Sequence, residues 1–361
     1  MRKVNSWLTT SILVISLLTI SIPSVLAQTA CTQTLRLART VYDEGRIHEL
    51  EELLSGCLKN GFSDEERTEA YRLLILSYIY LDESDKADET MLLLLREDPG
   101  FAINNDADPA ELINLYNTFR TKPIFFWGLK FNVNTTFINV LESYSVLEYT
   151  GLESAYNNRV SIGGGAMLEK SFGSRITARA NFEFNLNTFD YAATYFNEDE
   201  LIADQLATEN LNAAGLGLMG QVRLFPDKDE ILKNGLETWN PYIGLGGTFN
   251  FILTSSLALE TDRTDGSSAD GPEEDLIKAE IRRQLNPTID AEFGVKKRIG
   301  LSYLNIALRY SYGLLNLTDR HYDQGRLTTF YGWAANDINM HTATITFGIL
   351  FPQYVPKKMV K

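Results

Sequence analysis

The sequence predicts an α+β chain, an N-terminal helical domain followed by an eight-stranded antiparallel β-barrel that spans a membrane. Three observations predict it. Apolar residues recur at helical spacing up to Lys122, then alternate with polar ones in eight separate segments after Pro123. The chain opens with an export signal, and no later apolar run approaches the roughly 20 residues of a membrane helix, so a span has to be built of strands. The connections between the eight segments alternate long and short, which sorts them onto two sides of a barrier.

The 361 residues leave room for two domains, and their formal charge of −14 argues against nucleic acid as a partner, because phosphate binding needs clustered Lys and Arg. Residues 1–27 read as a signal peptide: Arg2 and Lys3, an apolar run, and Val25-Leu26-Ala27 before Gln28. The only cysteines are Cys31 and Cys57, which an oxidising compartment is expected to join in a disulfide. A lipoprotein role for Cys31 is the competing reading; lipoprotein signals usually place Leu where Gln28 stands.

Residues 28–122 form the expected periplasmic helical domain. Leu35, Ala38 and Tyr42, then Ile47, Leu50, Leu53, Leu54 and Leu58, make a helical hairpin broken at Gly45-Arg46, with Cys31 and Cys57 at its open end. Ser63 and Glu66 form a capping box before a helix through Tyr71, Leu74 and Tyr78. Asp82-Glu83-Ser84 turns the chain into a partner helix that Asp98-Pro99-Gly100 ends. Asp108 as N-cap and Pro109 at the first helical position start a last helix bearing Leu112, Leu115, Tyr116 and Phe119. The acidic run Asp82, Glu83, Asp85 and Asp88 reads as a solvated turn rather than a metal site.

Tyr71, Leu74, Tyr78, Ala87, Met91, Leu94 and Pro99 fall at the spacings of a tetratricopeptide repeat, and this unit resembles one. It departs at Ile75, where a small residue is usual, and at Leu94, where Ala is usual. The resemblance covers one repeat and implies a TPR-like module that binds a peptide or partner helix, with Tyr71, Tyr78 and Tyr116 as contact candidates. The alternative is that these tyrosines and leucines fill the space between helices.

Residues 123–352 form the expected barrel. The segments begin at Phe125, Val160, Arg175, Gly215, Ile243, Thr288, Leu304 and Thr342. Arg175 to Thr188 is typical: Ile176, Ala178, Ala180, Phe182, Phe184 and Leu186 alternate with Thr177, Arg179, Asn181, Glu183 and Asn185. Residues 139–158, 189–210, 254–285 and 316–339 are the long connections, expected outside the cell, and the short ones are expected in the periplasm with both termini. Phe125, Phe126, Trp127, Phe172, Phe225, Trp239, Tyr242, Phe351 and Tyr354 are assigned to a periplasmic aromatic girdle, and Phe137, Phe189, Tyr191, Phe251 and Tyr312 to an outer one.

This architecture resembles the small eight-stranded outer-membrane barrels of the OmpA and OmpX kind, in the Bacteroidota version with extra N-terminal residues. The resemblance covers roughly Pro123 to Pro352 and rests on no short motif. It departs at the end, where Phe351 is followed by a tail, residues 353–361, expected to be periplasmic.

Lys130, Glu169, Arg175, Arg179, Glu183, Arg223, Asp290, Glu292, Lys296 and Arg309 belong to the inward sets. Mixed signs in a narrow barrel predict a plug of ion pairs rather than a channel. A rim enzyme would have to use His321 with Asp319 and Asp323, but no nucleophile motif or zinc-ligand spacing accompanies them. His341 is expected at the outer interface and His48 on a periplasmic helix, while acid-rich residues 262–275 read as a solvated loop. No catalytic residue, metal or cofactor is expected. The expected function is that of an outer-membrane protein, its wall in lipid, that anchors a periplasmic interaction module for a protein partner in a secretion or motility assembly. A small porin-like channel is the alternative, and a lipid- or peptide-modifying enzyme a weaker one.

Overall fold

The computed structural model describes residues 22–145, 151–198, 200–225, 239–264, 268–271, 273–319 and 333–359. The signal-peptide prediction falls on residues 1–21, outside the described residues, and on the start of the first helix. No helix among the described residues is long and apolar enough to cross a membrane. The chain divides into two compact units, with the breaks at Pro123/Ile124 and Gln353/Tyr354.

The first unit contains α1 (Ile22–Asp43), a 3-10 turn (Ile47–Glu49), α2 (Leu50–Lys59), α3 (Asp64–Tyr80), α4 (Ser84–Glu97) and α5 (Ala110–Tyr116). Gly45, at φ +80°, makes the left-handed turn after α1 that a side chain would resist. At α3 the Glu66 amide donates to Ser63 Oγ and the Ser63 amide to Glu66 Oε2, at 3.3 and 3.0 Å, closing the capping box. The Thr32 hydroxyl also donates to Glu66, at 2.6 Å. This bond, with the Ser63 amide's, holds the Glu66 carboxyl below its usual range. Leu35, Ala38, Leu50, Leu54, Leu74 and Tyr78 bury one cluster, and Ile75, Met91, Leu94 and Leu112 a second. Asp108 does not cap α5: its carboxylate accepts from the Asn104 amide at 2.7 Å and pairs with Arg72, and the helix begins at Ala110. The tail adds a short antiparallel edge to the same unit, as Arg120 N donates to Lys357 O and Met359 N to Thr118 O, at 2.9 and 2.8 Å. Arg120 also donates to Val355 O, and Lys358 pairs with Asp88.

Cys31 and Cys57 form a disulfide across the first hairpin, 26 residues apart in sequence. Reducing it is expected to cost this unit about 3 kcal/mol, the loop-closure value for such a separation. Urea unfolding of the full chain followed by far-UV circular dichroism, with and without dithiothreitol, measures the effect; an unchanged helical midpoint contradicts it.

The second unit is a closed ring of eight antiparallel strands. Its members are β1 (Phe125–Glu142), β3 (Val160–Phe172), β4 (Ile176–Asn197), β5 (Glu200–Arg223), β6 (Trp239–Arg263), β9 (Leu285–Ile299), β10 (Ser302–Gly313) and β11 (Asp337–Gln353). They pair in that order, and β11 returns to β1 from Phe125↔Gln353 to Glu142↔Asp337. Three short strands, β2 (Gly151–Asn158), β7 (Ser268–Asp270) and β8 (Glu274–Asp275), pair with the C-terminal halves of β4 and β6.

Three of the predicted long loops are in large part strand, among them residues 139–158, where β1 runs on to Glu142 and β2 covers Gly151–Asn158. β4 and β5 pair to Asn197↔Glu200 with one register shift between Tyr195 and Phe196, so residues 189–210 make a tall hairpin, and β6 runs on to Arg263. Along β4 the same odd-numbered residues point inward throughout, but their chemistry inverts. Thr177, Arg179, Asn181, Glu183 and Asn187 are buried polar residues, and beyond them Phe189, Tyr191, Ala193 and Tyr195 are buried apolar ones. Outward, Ile176, Phe182, Phe184 and Leu186 are exposed, each by 38–55 %. Ile176 to Leu186 has the length, about 9–11 residues, that a tilted strand needs to cross a bilayer. Above it the barrel buries an apolar core as a water-soluble domain does. Phe189 and Tyr191, assigned by sequence to the outer girdle, belong to that core.

Candidate functional site

The section of the barrel whose outer wall exposes apolar residues is filled by charge. Arg179, 2 % exposed on β4, donates to Glu169 Oε1 at 2.7 Å, Glu292 Oε1 at 2.6 Å and the Tyr242 hydroxyl at 3.0 Å. Tyr242 donates in turn to Glu292 at 2.7 Å, and Lys296 holds the other Glu169 oxygen at 2.5 Å and Gln221 at 3.0 Å. One level further in, Lys130 and Arg309 both hold Glu183, at 2.6 and 2.8 Å. Asp290 accepts from the hydroxyls of Thr248 and Thr288 at 2.5 and 2.9 Å. Beyond these lies a layer of amides and hydroxyls, including Asn134 to Asn187 at 2.6 Å and Thr346 to Asn132 at 3.0 Å. Four cations, Lys130, Arg179, Lys296 and Arg309, thus face four anions, Glu169, Glu183, Asp290 and Glu292. The polar cavity between Asn134, Glu183 and Arg309 measures about 30 Å³, space for one or two water molecules.

Small residues make room for this filling. A Cβ at Gly294 would come within 2.5 Å of the Tyr242 ring, and one at Gly215 within 3.2 Å of Glu183 Cγ. Tyr242 is 1 % exposed inside the barrel, not in the girdle where sequence reading put it. Its place in the inward set, with Gly244, Gly246 and Thr248, is the signal that reading passed over. The predicted interior also shrinks by two cations. Arg175 lies exposed in the β3–β4 turn, because the strand begins only at Ile176. Arg223, at the last residue of β5, is partly exposed and donates to Ser171 Oγ at 3.1 Å, apart from the network.

A second ion pair closes the end opposite the short β3–β4 and β9–β10 turns. Arg282, on the segment between β8 and β9, donates to both oxygens of Glu209 on β5, at 3.0 and 2.9 Å, and to Thr318 Oγ1 at 2.5 Å. Ser255 donates to the same carboxylate at 2.6 Å. Around this pair Leu276, Ile281, Leu317, Trp333 and Ala335 are buried, so the segments after β8 and β10 lie inward over the barrel's end. Of the rim residues considered for catalysis, His321 and Asp323 lie outside the described residues, and the Asp319 amide donates to Ile281 O. His341 is 8 % exposed between the rings of Tyr310 and Tyr312. Among the described residues no group of acidic, histidine or cysteine side chains is placed to hold a metal.

The helical unit carries an open groove of about 310 Å³ between α1, α3 and the segment before α5. Tyr42, Leu73 and Leu76 form its apolar part, and the Arg39–Glu69 pair and Arg72 form its charged edges. Burial and the adjacent Tyr80 push the Tyr42 phenol up to about 12, so it stays neutral. The three predicted contact tyrosines do not line this groove. Tyr78 is 7 % exposed in the first core, where burial and then Glu51 push its phenol up to about 12. Tyr116 donates to Phe101 O at 3.0 Å, and Tyr71 packs beside the second core. Helical spacing marks all of these alike as apolar-face positions; only the packing of α1 across α3 distinguishes Tyr42.

No protein-family model and no curated protein matches the chain. Among solved structures, Neisserial surface protein A shares 10 % identity over 63 % of this chain and 96 % of its own, with a TM-score of 0.27. Outer membrane protein OprG from Pseudomonas aeruginosa shares 12 % over 65 % and 98 %, at 0.30. The attachment invasion locus protein Ail of Yersinia pestis, in complex with the heparin analogue sucrose octasulfate, shares 11 % over 63 % and 99 %, at 0.25. Likenesses this distant carry no functional information about this chain.

Proposed function

We propose that this chain is an outer-membrane anchor for a periplasmic protein-binding module, serving as a scaffold or accessory subunit of an envelope assembly such as a secretion or motility machine. The observation that carries the reading is the contrast between its two units. The barrel interior is occupied by neutralising ion pairs, whereas the helical unit offers an apolar groove edged by charge. Conduction would need the network broken, at the cost of stranding charges in a dry interior. Residues 1–27 serve as the export signal. The short β3–β4 and β9–β10 turns lie at the end where β1 begins and β11 finishes, and the tall hairpins lie at the other. Short turns belong to the periplasmic side of such barrels, which supports periplasmic termini. The repeat-like packing of α3 on α4 supports a TPR-like module whose work is recognition, not chemistry.

Affinity capture of the full-length protein from gently solubilised membranes tests the reading. Leu73→Glu puts a charge among the groove's apolar residues and is expected to weaken capture of at least one specific envelope protein tenfold or more, since pairing a charge with an apolar contact costs roughly 1–3 kcal/mol. An identical set of captured proteins from the variant and the parent, with helical content unchanged, would sink the proposal.

A further inference from the structure

The outer wall of the barrel has a recess that its cross-strand register explains. Across β3, β4 and β5 the outward residues form rows: Ala166, Phe182, Leu216; then Leu168, Ala180, Leu218; then Lys170, Ala178, Gly220; then Phe172, Ile176, Val222. The two middle rows place Ala180, Ala178 and Gly220 side by side, where the wall stands lower by most of a side chain. Around them Phe182, Leu168, Leu218, Phe172 and Ile176 stand out, each 50–73 % exposed. The hollow measures about 740 Å³ and extends to Phe125 on β1.

One cation stands at its margin. Lys170 belongs to the outward set of β3, two residues before the strand ends at Phe172, and its ammonium lies 5.7 Å from the Phe172 ring centre. It makes no ion pair among the described residues. Arg175, exposed in the turn that follows, supplies a second positive charge at this end.

We propose that the recess is a binding site for an anionic glycerophospholipid of the leaflet nearest this turn. One acyl chain lies over Ala178, Ala180 and Gly220 between Leu168 and Leu218, and the phosphate meets Lys170. The proposal rests on the membrane reading of the barrel. That reading places hydrocarbon against this wall and puts Lys170 at headgroup height, where a lysine keeps its stem in the apolar layer and its charge at the interface. The charge selects an anionic headgroup, and the recess selects a chain that follows it over a flexible lipid that must skirt ridges elsewhere on the wall.

The full chain, reconstituted in an equal mixture of phosphatidylglycerol and phosphatidylcholine and released into mild detergent, is analysed by native mass spectrometry. The parent protein is expected to retain one phospholipid with phosphatidylglycerol enriched. Ala180→Phe, which fills the recess from a lipid-facing position, is expected to cut retention at least tenfold while the folded barrel keeps its gel mobility. Lys170→Gln is expected to erase the preference for phosphatidylglycerol. Retention equal in Ala180→Phe and the parent overturns the proposal, and so does a parent dimer that Ala180→Phe converts to monomer, which would make a second copy the occupant. A chain that does not float with vesicles refutes the membrane reading itself; one that floats but ignores Ala180→Phe refutes only the lipid site.

Discussion

Arg179→Met is expected to destabilise the folded barrel by about 3–5 kcal/mol, the cost of removing one partner from a buried ion pair. Among the described residues, only Arg179 joins Glu169, Glu292 and Tyr242, and each contact is at or under 3.0 Å. Methionine fills similar volume, so packing contributes little and the loss reads the charge. Glu169 keeps Lys296, and Glu292 keeps the Tyr242 hydroxyl, which places the effect toward the lower end. Urea-dependent folding into phospholipid vesicles, followed by the mobility difference of folded and unfolded barrels on gels, measures it. A loss below about 1 kcal/mol would mean that the interior is wet enough to screen these charges and would reopen the channel reading.

Glu209→Ala is expected to act at the other end of the barrel and to leave the section around Arg179 folded. It removes the carboxylate that holds Arg282, whose side chain is 1 % exposed, by two bonds. The segment from Leu276 to Gln284 is also held by the bonds Leu276 N to Ser255 O, Arg283 N to Leu317 O, Asp319 N to Ile281 O and Ile252 N to Gln284 O. A penalty of roughly 3 kcal/mol falls on this segment's own opening equilibrium and raises its open population about a hundredfold. Lys278, Arg282 and Arg283 are trypsin sites within it, so limited proteolysis of the reconstituted protein should show cleavage there faster by about that factor. Unchanged cleavage would show that the apolar packing of Leu276 and Ile281 holds the cap without the ion pair.

Both effects depend on features of unequal legibility in the sequence. Alternation from Ile176 to Leu186 identifies a two-faced strand, and the recurrence of such segments identifies a barrel. The inward members Arg179, Glu183, Glu292 and Arg309 follow from parity alone. Parity fails where a strand ends: Arg175 has the inward parity of Arg179 but lies in a turn. It also fails to separate a lipid-facing apolar residue from an inward one. Phe182 and Phe189 look equivalent as strand aromatics, yet one is 54 % exposed and the other 2 %. The inversion between them reverses which face of the strand is apolar, and a local pattern carries no record of the solvent on either side.

What the sequence determined by itself is the order of a helical unit and an amphipathic barrel, the pair of cysteines available to close the first hairpin, and the set of charges sent inward. These follow from local periodicity and chain order, which folding preserves. Only the tertiary structure decided which charges meet, that Tyr242 completes their network, that Glu209 and Arg282 fasten a cap, and that Tyr42 rather than Tyr78 borders the helical groove. Those pairings join residues 50 to 126 positions apart, or bring α1 across α3. They depend on strand register and on helix crossing, which no stretch of sequence expresses alone.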